Sequence, residues 1–73
     1  MRTTLESVKL IELSNKIRTT RQSYGYTQTD LAELVGKDQS SIHRLESGKI
    51  NPGYLFLQEI ADALNIDLKE LLP

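Results

Sequence analysis

The sequence contains no cysteine and no tryptophan, and its 73 residues include only one phenylalanine, one methionine and two prolines. Without cysteine, disulfides and thiolate metal sites are excluded, and a zinc site would rest on one histidine and carboxylates. No apolar run approaches the ~18 residues of a membrane span, and the N-terminus lacks the apolar segment of a signal peptide. We therefore expect no metal, no cofactor and no membrane contact, with a cytoplasmic location.

A strong excess of charge of one sign is also lacking, because the formal net charge is −1. Residues 1–49 hold eight Lys/Arg and six Asp/Glu, a balance of +2, whereas residues 50–73 hold one lysine and four acidic residues, a balance of −3. The chain is thus polarised, and any affinity for nucleic acid that comes from phosphate contacts should be modest. Its length predicts one domain, residues 1–73, with a small core for which self-association would be unsurprising.

Turn signals divide the chain into five short helices, and no run alternates apolar and polar residues as a strand does. The first helix is expected after a capping box of Thr3 with Glu6. The fourth follows the turn at residues 51–53 and ends at Asn65, which tolerates the left-handed conformation. A short fifth helix opens after that residue and carries Leu68, Leu71 and Leu72. The fold class predicted is therefore all-α.

Residues 27–47 predict two short helices joined by a tight turn. Thr27 and Asp38 are natural N-caps of the two helices, and Gly36 ends the first of them. At ~100° per residue, the second helix buries its apolar residues and turns a polar face outward. That face carries Gln39, Ser40, His43, Arg44 and Ser47. Two short helices of this kind are the layout of a helix-turn-helix DNA reader.

Several side chains of this polar face have the reach to contact base edges. Glutamine pairs bidentately with adenine and arginine with guanine, which suits Gln39 and Arg44. Gln28 begins the preceding helix, where free backbone N–H groups hold phosphates. A merely solvated face is the alternative interpretation. For Ser41, packing against the preceding helix and contact with DNA remain equally open.

One pair of charges is expected to be structural. Arg21, late in the first helix, and Glu46, on the inner side of the third, would form a buried or half-buried ion pair that fixes geometry more than stability. Two unrelated surface charges are the alternative. No nucleophile–base pair, metal set or phosphate-binding loop is recognisable, so an enzyme is not expected.

From about Leu13 to Leu72 the chain resembles the Xre family of helix-turn-helix proteins, which includes lambda-type repressors and Cro. The matching residues span all five expected helices without a gap. They are Ile17, Arg21, Thr27, Gln28, Leu31, Ala32, Gly36, Ser40–Ile42, Arg44–Lys49, Asn51, Pro52, Leu57, Ile60, Ala61, Ala63, Leu64 and 68–72.

The resemblance implies a five-helix, lambda-repressor-like domain that binds the major groove of double-stranded DNA, commonly as a dimer. It implies that Gln28 holds a phosphate, that Gln39, Ser40 and Arg44 read bases, and that residues 49–51 meet the backbone. The Arg21–Glu46 pair is also implied. The whole set assigned to DNA is Gln28, Lys37, Gln39, Ser40, Ser41, His43, Arg44, Lys49 and Asn51.

Apolar residues outside the motif predict an interaction surface, with core filling as the alternative. They are Leu5, Val8, Ile11, Leu55 and Phe56, the first of which lie in or near an N-terminal extension at residues 1–9. Two functions follow as hypotheses. The first is a transcriptional regulator, a repressor that binds a palindrome as a homodimer. The alternative is an antitoxin that neutralises a cognate toxin through these residues and binds DNA to regulate its own synthesis.

Overall fold

The computed structural model describes residues 4–73, in which four α-helices precede one turn of 3-10 helix. The α-helices are α1 (Thr4–Ser23), α2 (Gln28–Val35), α3 (Gln39–Glu46) and α4 (Tyr54–Leu64). This part of the chain contains no strand, so the all-α, helix-turn-helix prediction is confirmed. Thr3, one half of the capping box expected before α1, lies outside the described residues.

The expected fifth α-helix is wrong in type, because Leu68–Leu71 forms a 3-10 helix. The local start signal is present, since the backbone N–H of Asp67 donates to the Glu70 carboxylate at 3.2 Å. At about three residues per turn, the segment makes little more than one turn. Leu71, its last residue, is fully buried, whereas Leu72 has extended backbone and is 44% exposed.

The ends of the two central helices follow their local sequence signals. Thr27 has extended backbone and its Oγ1 accepts the backbone N–H of Asp30 at 3.0 Å, as an N-cap does. Gly36 ends α2 in the left-handed conformation at φ 69°. Asn65 ends α4 in the same conformation at φ 57°. The caps predicted at these three positions are therefore confirmed.

Each element contributes at least one fully buried apolar side chain to a single core. These side chains belong to Ile17, Leu31, Ile42, Leu45, Ile60 and Leu71. α2 packs most extensively against α3, and α4 packs against α2 and the 3-10 helix. Because Ile42 and Leu45 anchor α3 to this core, its opposite face is fixed toward solvent.

α1 is the longest element, and at 1.5 Å per residue its 20 residues run for about 30 Å. It buries Leu10, Ser14, Ile17 and Arg21 on one side. Neither α1 nor any other described helix is long and apolar enough to cross a membrane. Across residues 4–73, no three His, Asp or Glu side chains gather as metal ligands would.

Candidate nucleic-acid interface

The outer face of α3 presents a row of polar side chains to solvent. Gln39, Ser40, His43 and Arg44 are exposed, whereas Glu46 is buried at the end of the same helix. Eight residues make α3 about 12 Å long, a length that the major groove accommodates. The structure therefore brings together on one face the side chains that the sequence assigns to base reading.

Asp38 is at the N-cap position of α3, yet its carboxylate makes no capping bond to the helix. It accepts instead the Ser41 hydroxyl at 2.8 Å, and this hydrogen bond lowers the pKa of Asp38. The expectation that Asp38 caps the helix is therefore correct in backbone position and wrong in side-chain contact. Ser41 is half-buried and also lies 3.5 Å from an Arg44 nitrogen, so the hydroxyl links the carboxylate to the guanidinium.

The N-terminus of α2 is held by reciprocal bonds between Thr27 and Asp30. The Thr27 backbone N–H donates to the Asp30 carboxylate at 2.9 Å, and this bond is the main reason that the pKa of Asp30 is lowered. The first N–H groups of a helix have no intrahelical acceptor. Gln28 begins α2 at this point, where an anion such as phosphate is favoured.

The Gln28 amide makes two side-chain hydrogen bonds across the helix-turn-helix. Its Nε2 donates to Glu46 Oε1 at 3.1 Å, and its Oε1 accepts Gln39 Nε2 at 2.7 Å. Sequence reasoning missed both contacts, since they join residues 18 and 11 positions apart. Gln28 therefore lies between the buried end of α3 and its exposed first turn.

Arg21 and Glu46 form a buried ion pair between α1 and α3. Arg21 Nε lies 2.7 Å from Glu46 Oε2, and its Nη2 lies 2.8 Å from Glu46 Oε1, a bidentate arrangement. Hydrogen bonding to the carboxylate raises the pKa of Arg21. A third bond, from Arg21 Nη1 to the Tyr26 carbonyl at 2.7 Å, ties in the loop before α2. The pair thus connects three segments beneath the polar face.

Lys37, assigned to DNA from the sequence, lies with its Nζ 5.6 Å from the centroid of the Phe56 ring. This distance is that of a cation–π contact between the α2–α3 turn and α4. Phe56 itself is half-buried against the core, so the core-filling alternative holds for this residue. Leu55, beside it in sequence, is 74% exposed.

The loop after α3 carries two further residues assigned to the DNA backbone. Lys49 and Asn51 are both exposed. Asn51 borders a shallow depression whose other walls come from α1, at Glu6, Lys9, Leu10 and Leu13. The structure thus places Asn51 beside the N-terminal half of α1 rather than in the row of polar side chains on α3.

Three apolar side chains at three-residue spacing lie exposed along the outer half of α1. Leu5, Val8 and Ile11 are exposed by 63, 45 and 54% respectively. Their spacing puts them along one face of the helix. Core filling is therefore wrong for these residues and for Leu55. Sequence reasoning missed Tyr24, Leu34 and Tyr54, which are comparably exposed. The exposure of Leu34 was predictable, because the helical period of α2 turns it outward when Leu31 points into the core.

The chain is similar to known helix-turn-helix proteins over most of its length. The family HTH_3, described as helix-turn-helix, matches residues 17–71. An uncharacterized HTH-type transcriptional regulator, YazB of Bacillus subtilis, is 38% identical over 58 residues, which are 80% of this chain and 84% of that protein. One from Archaeoglobus fulgidus is 37% identical over 59 residues, with 81% and 84% covered.

Solved structures show the same likeness in three dimensions. The restriction-modification controller protein C.AhdI from Aeromonas hydrophila superposes with a TM-score of 0.85 at 31% identity, covering 89% of this chain and 98% of that one. A hypothetical transcription factor from Neisseria gives a TM-score of 0.83 at 25% identity, with 93% and 78% covered. The chain therefore belongs to the HTH_3 helix-turn-helix family and is a transcriptional regulator with a helix-turn-helix DNA-binding domain.

Proposed function

We propose that the protein is a repressor that binds a palindromic operator as a homodimer, with α3 in the major groove. The observation that carries the proposal is the exposed row of Gln39, Ser40 and Arg44 on a helix whose opposite side is fixed in the core. Gln39 and Arg44 supply bidentate partners for adenine and guanine. Occlusion of a promoter requires only that this face occupy its site.

Residues outside the row complete the proposed contact. The N-terminus of α2 at Gln28 approaches one phosphate, while Lys49 and Asn51 in the loop after α3 approach others. Ser41 and His43 flank the reading residues. Lys37, on the turn, approaches a phosphate while it contacts the Phe56 ring, because a cation–π contact leaves the ammonium partly exposed.

A homodimer is proposed because one copy offers little electrostatic affinity. The net charge is −1, and the Asp38 carboxylate lies at the start of the reading helix. Two copies on a palindrome double the base contacts without adding charge to either one. The exposed apolar residues Leu5, Val8, Ile11 and Leu55 supply the surface proposed for pairing.

Selection from random duplex DNA followed by affinity measurement tests the proposal. Two half-sites about one helical turn apart, ~34–36 Å, should emerge. Gln39→Ala and Arg44→Ala should each weaken binding to the selected site roughly 5- to 150-fold, because each loses a bidentate base contact. Lys69→Ala, which removes one exposed positive charge from the 3-10 helix, serves as the control and should bind like the wild type.

Two results would contradict the proposal. Unchanged affinity in both α3 variants would rule out α3 as the reading helix. A selected site without two-fold symmetry, bound by one chain as measured by the mass of the complex, would rule out the homodimer.

The alternative function, an antitoxin, draws on the same exposed apolar residues of α1, Leu5, Val8 and Ile11. These residues would then bind a toxin instead of a second copy of this chain. Stoichiometry separates the two functions: a stable equimolar complex with a small protein encoded next to this chain favours the antitoxin, and a homodimer that excludes that protein favours the repressor.

A further inference from the structure

The carboxylate of Asp38 lies exposed at the leading end of α3, and the helix does not use it as a cap. The backbone N–H of Ser41 donates to the Asp38 carbonyl oxygen at 3.1 Å, whereas the carboxylate accepts the Ser41 hydroxyl at 2.8 Å. A carboxylate has room for about four hydrogen bonds. The Asp38 carboxylate is therefore oriented by Ser41 and can still accept hydrogen bonds from a ligand.

The Ser41 hydroxyl also holds Asp38 and Arg44 close together. Ser41 gives its only proton to Asp38, so its oxygen acts as an acceptor toward Arg44 Nη2, which lies 3.5 Å away. The carboxylate oxygen and this guanidinium nitrogen are at most about 6.3 Å apart, the sum of the two distances. Successive base pairs lie ~3.4 Å apart along B-DNA. An acceptor and a donor at this separation reach base pairs no more than two steps apart.

A negative charge at this end of α3 reduces affinity for DNA unless a base donates a hydrogen bond to it. The bond from Ser41 lowers the pKa of Asp38, so the carboxylate is ionised at neutral pH. A recognition helix directs its N-terminal residues at base edges, between phosphates that repel a carboxylate. In the major groove, the donors that bases present are the amino groups of cytosine and adenine.

We propose that Asp38 reads a cytosine by accepting its N4 amino group, within two base pairs of the guanine that Arg44 reads. The proposal rests on the proposed placement of α3 in the major groove, and it adds a residue to the reading set. Asp38 thereby exchanges a general loss of affinity for a preference at one operator position.

Cytosine is selected because the other three bases each present an acceptor to the carboxylate. Guanine presents N7 and O6, and thymine presents O4. Adenine has a donor at N6, but its N7 acceptor lies beside that donor and would face the second carboxylate oxygen. The charge of Asp38 therefore discriminates by repulsion as well as by the bond that it accepts.

Selection from random duplex DNA with Asp38→Asn is the first test. Asparagine is as good an N-cap as aspartate, so the fold is retained, and its amide pairs bidentately with adenine. One position of each half-site should change from cytosine to adenine, within two base pairs of the position whose guanine preference Arg44→Ala abolishes. Asp67→Asn is the matched control and should select the wild-type site, because it makes the same change at the N-cap of the 3-10 helix.

A modified base then tests the hydrogen bond without changing the base pair. N4-methylcytosine still pairs with guanine, but it presents a methyl group to the major groove in place of the free N4 proton. With this base at the selected position, the wild type should bind at least about fivefold more weakly than to the unmodified duplex. Asp38→Ala should bind the two duplexes equally. A loosened fold would weaken binding to both duplexes alike and would leave their ratio unchanged.

The possible outcomes separate the inference from the function on which it rests. If both Asp38 variants select the wild-type site and the wild type binds the two duplexes equally, Asp38 contributes only repulsion and the inference is overturned alone. If Asp38→Ala loses the guanine preference of Arg44 and no cytosine preference, Asp38 positions Arg44 and reads no base, which also overturns the inference. A wild type that selects no sequence would overturn the proposed function, and the inference with it.

Discussion

Asp30 is an exposed carboxylate that stabilises the start of α2, although it is not among the residues assigned to DNA. It accepts the Thr27 backbone N–H at 2.9 Å, while its own N–H donates to the Thr27 hydroxyl at 3.0 Å. These bonds fix the backbone at the start of α2, where Gln28 follows directly. The position of Gln28 therefore depends on the ionised form of Asp30, whose pKa the Thr27 N–H lowers.

Acidification should weaken the fold through this carboxylate. Because the pKa of Asp30 is lower in the folded chain than in the unfolded chain, its contribution is fully present above the ordinary pKa, about 3.9, and is lost as pH falls through the lowered folded value. Asp38 acts in the same direction through its bond from Ser41. Asp30→Asn should therefore make the melting temperature fall less steeply than in the wild type below about pH 5.

Thermal unfolding followed by circular dichroism from pH 7 to pH 2 measures this slope. Glu33→Gln is the control, because it removes an exposed carboxylate from the same helix without touching the cap. Identical slopes in the wild type and Asp30→Asn would show that the capping contact contributes nothing to the acid sensitivity.

At the level of the helices, local signals determine most of the boundaries. Gly36 and Asn65 end α2 and α4 in the left-handed conformation, and both ends are predictable because few residue types adopt it readily. The type of the last helix is not predictable in this way. Its start signal at residues 67–70 fits either helical form, and packing against the rest of the chain decides the outcome.

Local signals also predict part of the candidate interface, and tertiary packing determines the rest. The outward direction of Gln39 and Arg44 follows from the helical period once Ile42 is buried. The Gln28–Gln39 bond does not follow, because it depends on the crossing of α2 and α3 and on two side-chain rotamers. The helical period therefore predicts which side chains of α3 face solvent, whereas the hydrogen bonds between α2 and α3 require the positions of both side chains in three dimensions.

Gly36→Ala should lower the free energy of unfolding by about 1 kcal/mol, because L-residues with a side chain resist the left-handed conformation. A Cβ at this position meets no atom within 4 Å, so crowding adds nothing to the cost. Gly36→Asn should cost less, since asparagine tolerates this conformation, as Asn65 does at the end of α4.

Urea unfolding of the two variants and the wild type gives the comparison. Equal destabilisation by alanine and asparagine would contradict the conformational explanation and would point to a steric one. Gly53→Ser is the control and should not destabilise the protein. Position 53 has a negative φ and precedes α4 as its N-cap, where serine is favoured.

Over the whole molecule, the Arg21–Glu46 pair joins segments that are distant in sequence. It connects α1 to α3 and, through the Tyr26 carbonyl, to the loop before α2. Both side chains are nearly inaccessible to water. In such surroundings a paired charge costs little net stability, but an unpaired one is strongly unfavourable.

Arg21→Met should therefore destabilise the protein by about 3–5 kcal/mol, because it leaves the Glu46 carboxylate buried without its cation. The double change Arg21→Met/Glu46→Leu should recover a large part of that loss, since no charge stays buried. Urea unfolding of the single and double variants measures both effects. A double variant as unstable as the single one would indicate that the geometry of the pair, rather than its charge balance, stabilises the fold.

The length of α1 joins two distant parts of the structure. The family match begins at residue 17, yet the helix is continuous from Thr4 to Ser23. Leu5 and Arg21 lie 16 residues apart on one axis, about 24 Å at 1.5 Å per residue. One helix thus carries the exposed Leu5 near its start and Arg21, bonded to Glu46, near its end. A partner that docks on Leu5 would therefore contact the same helix that positions Glu46 beneath the polar face of α3.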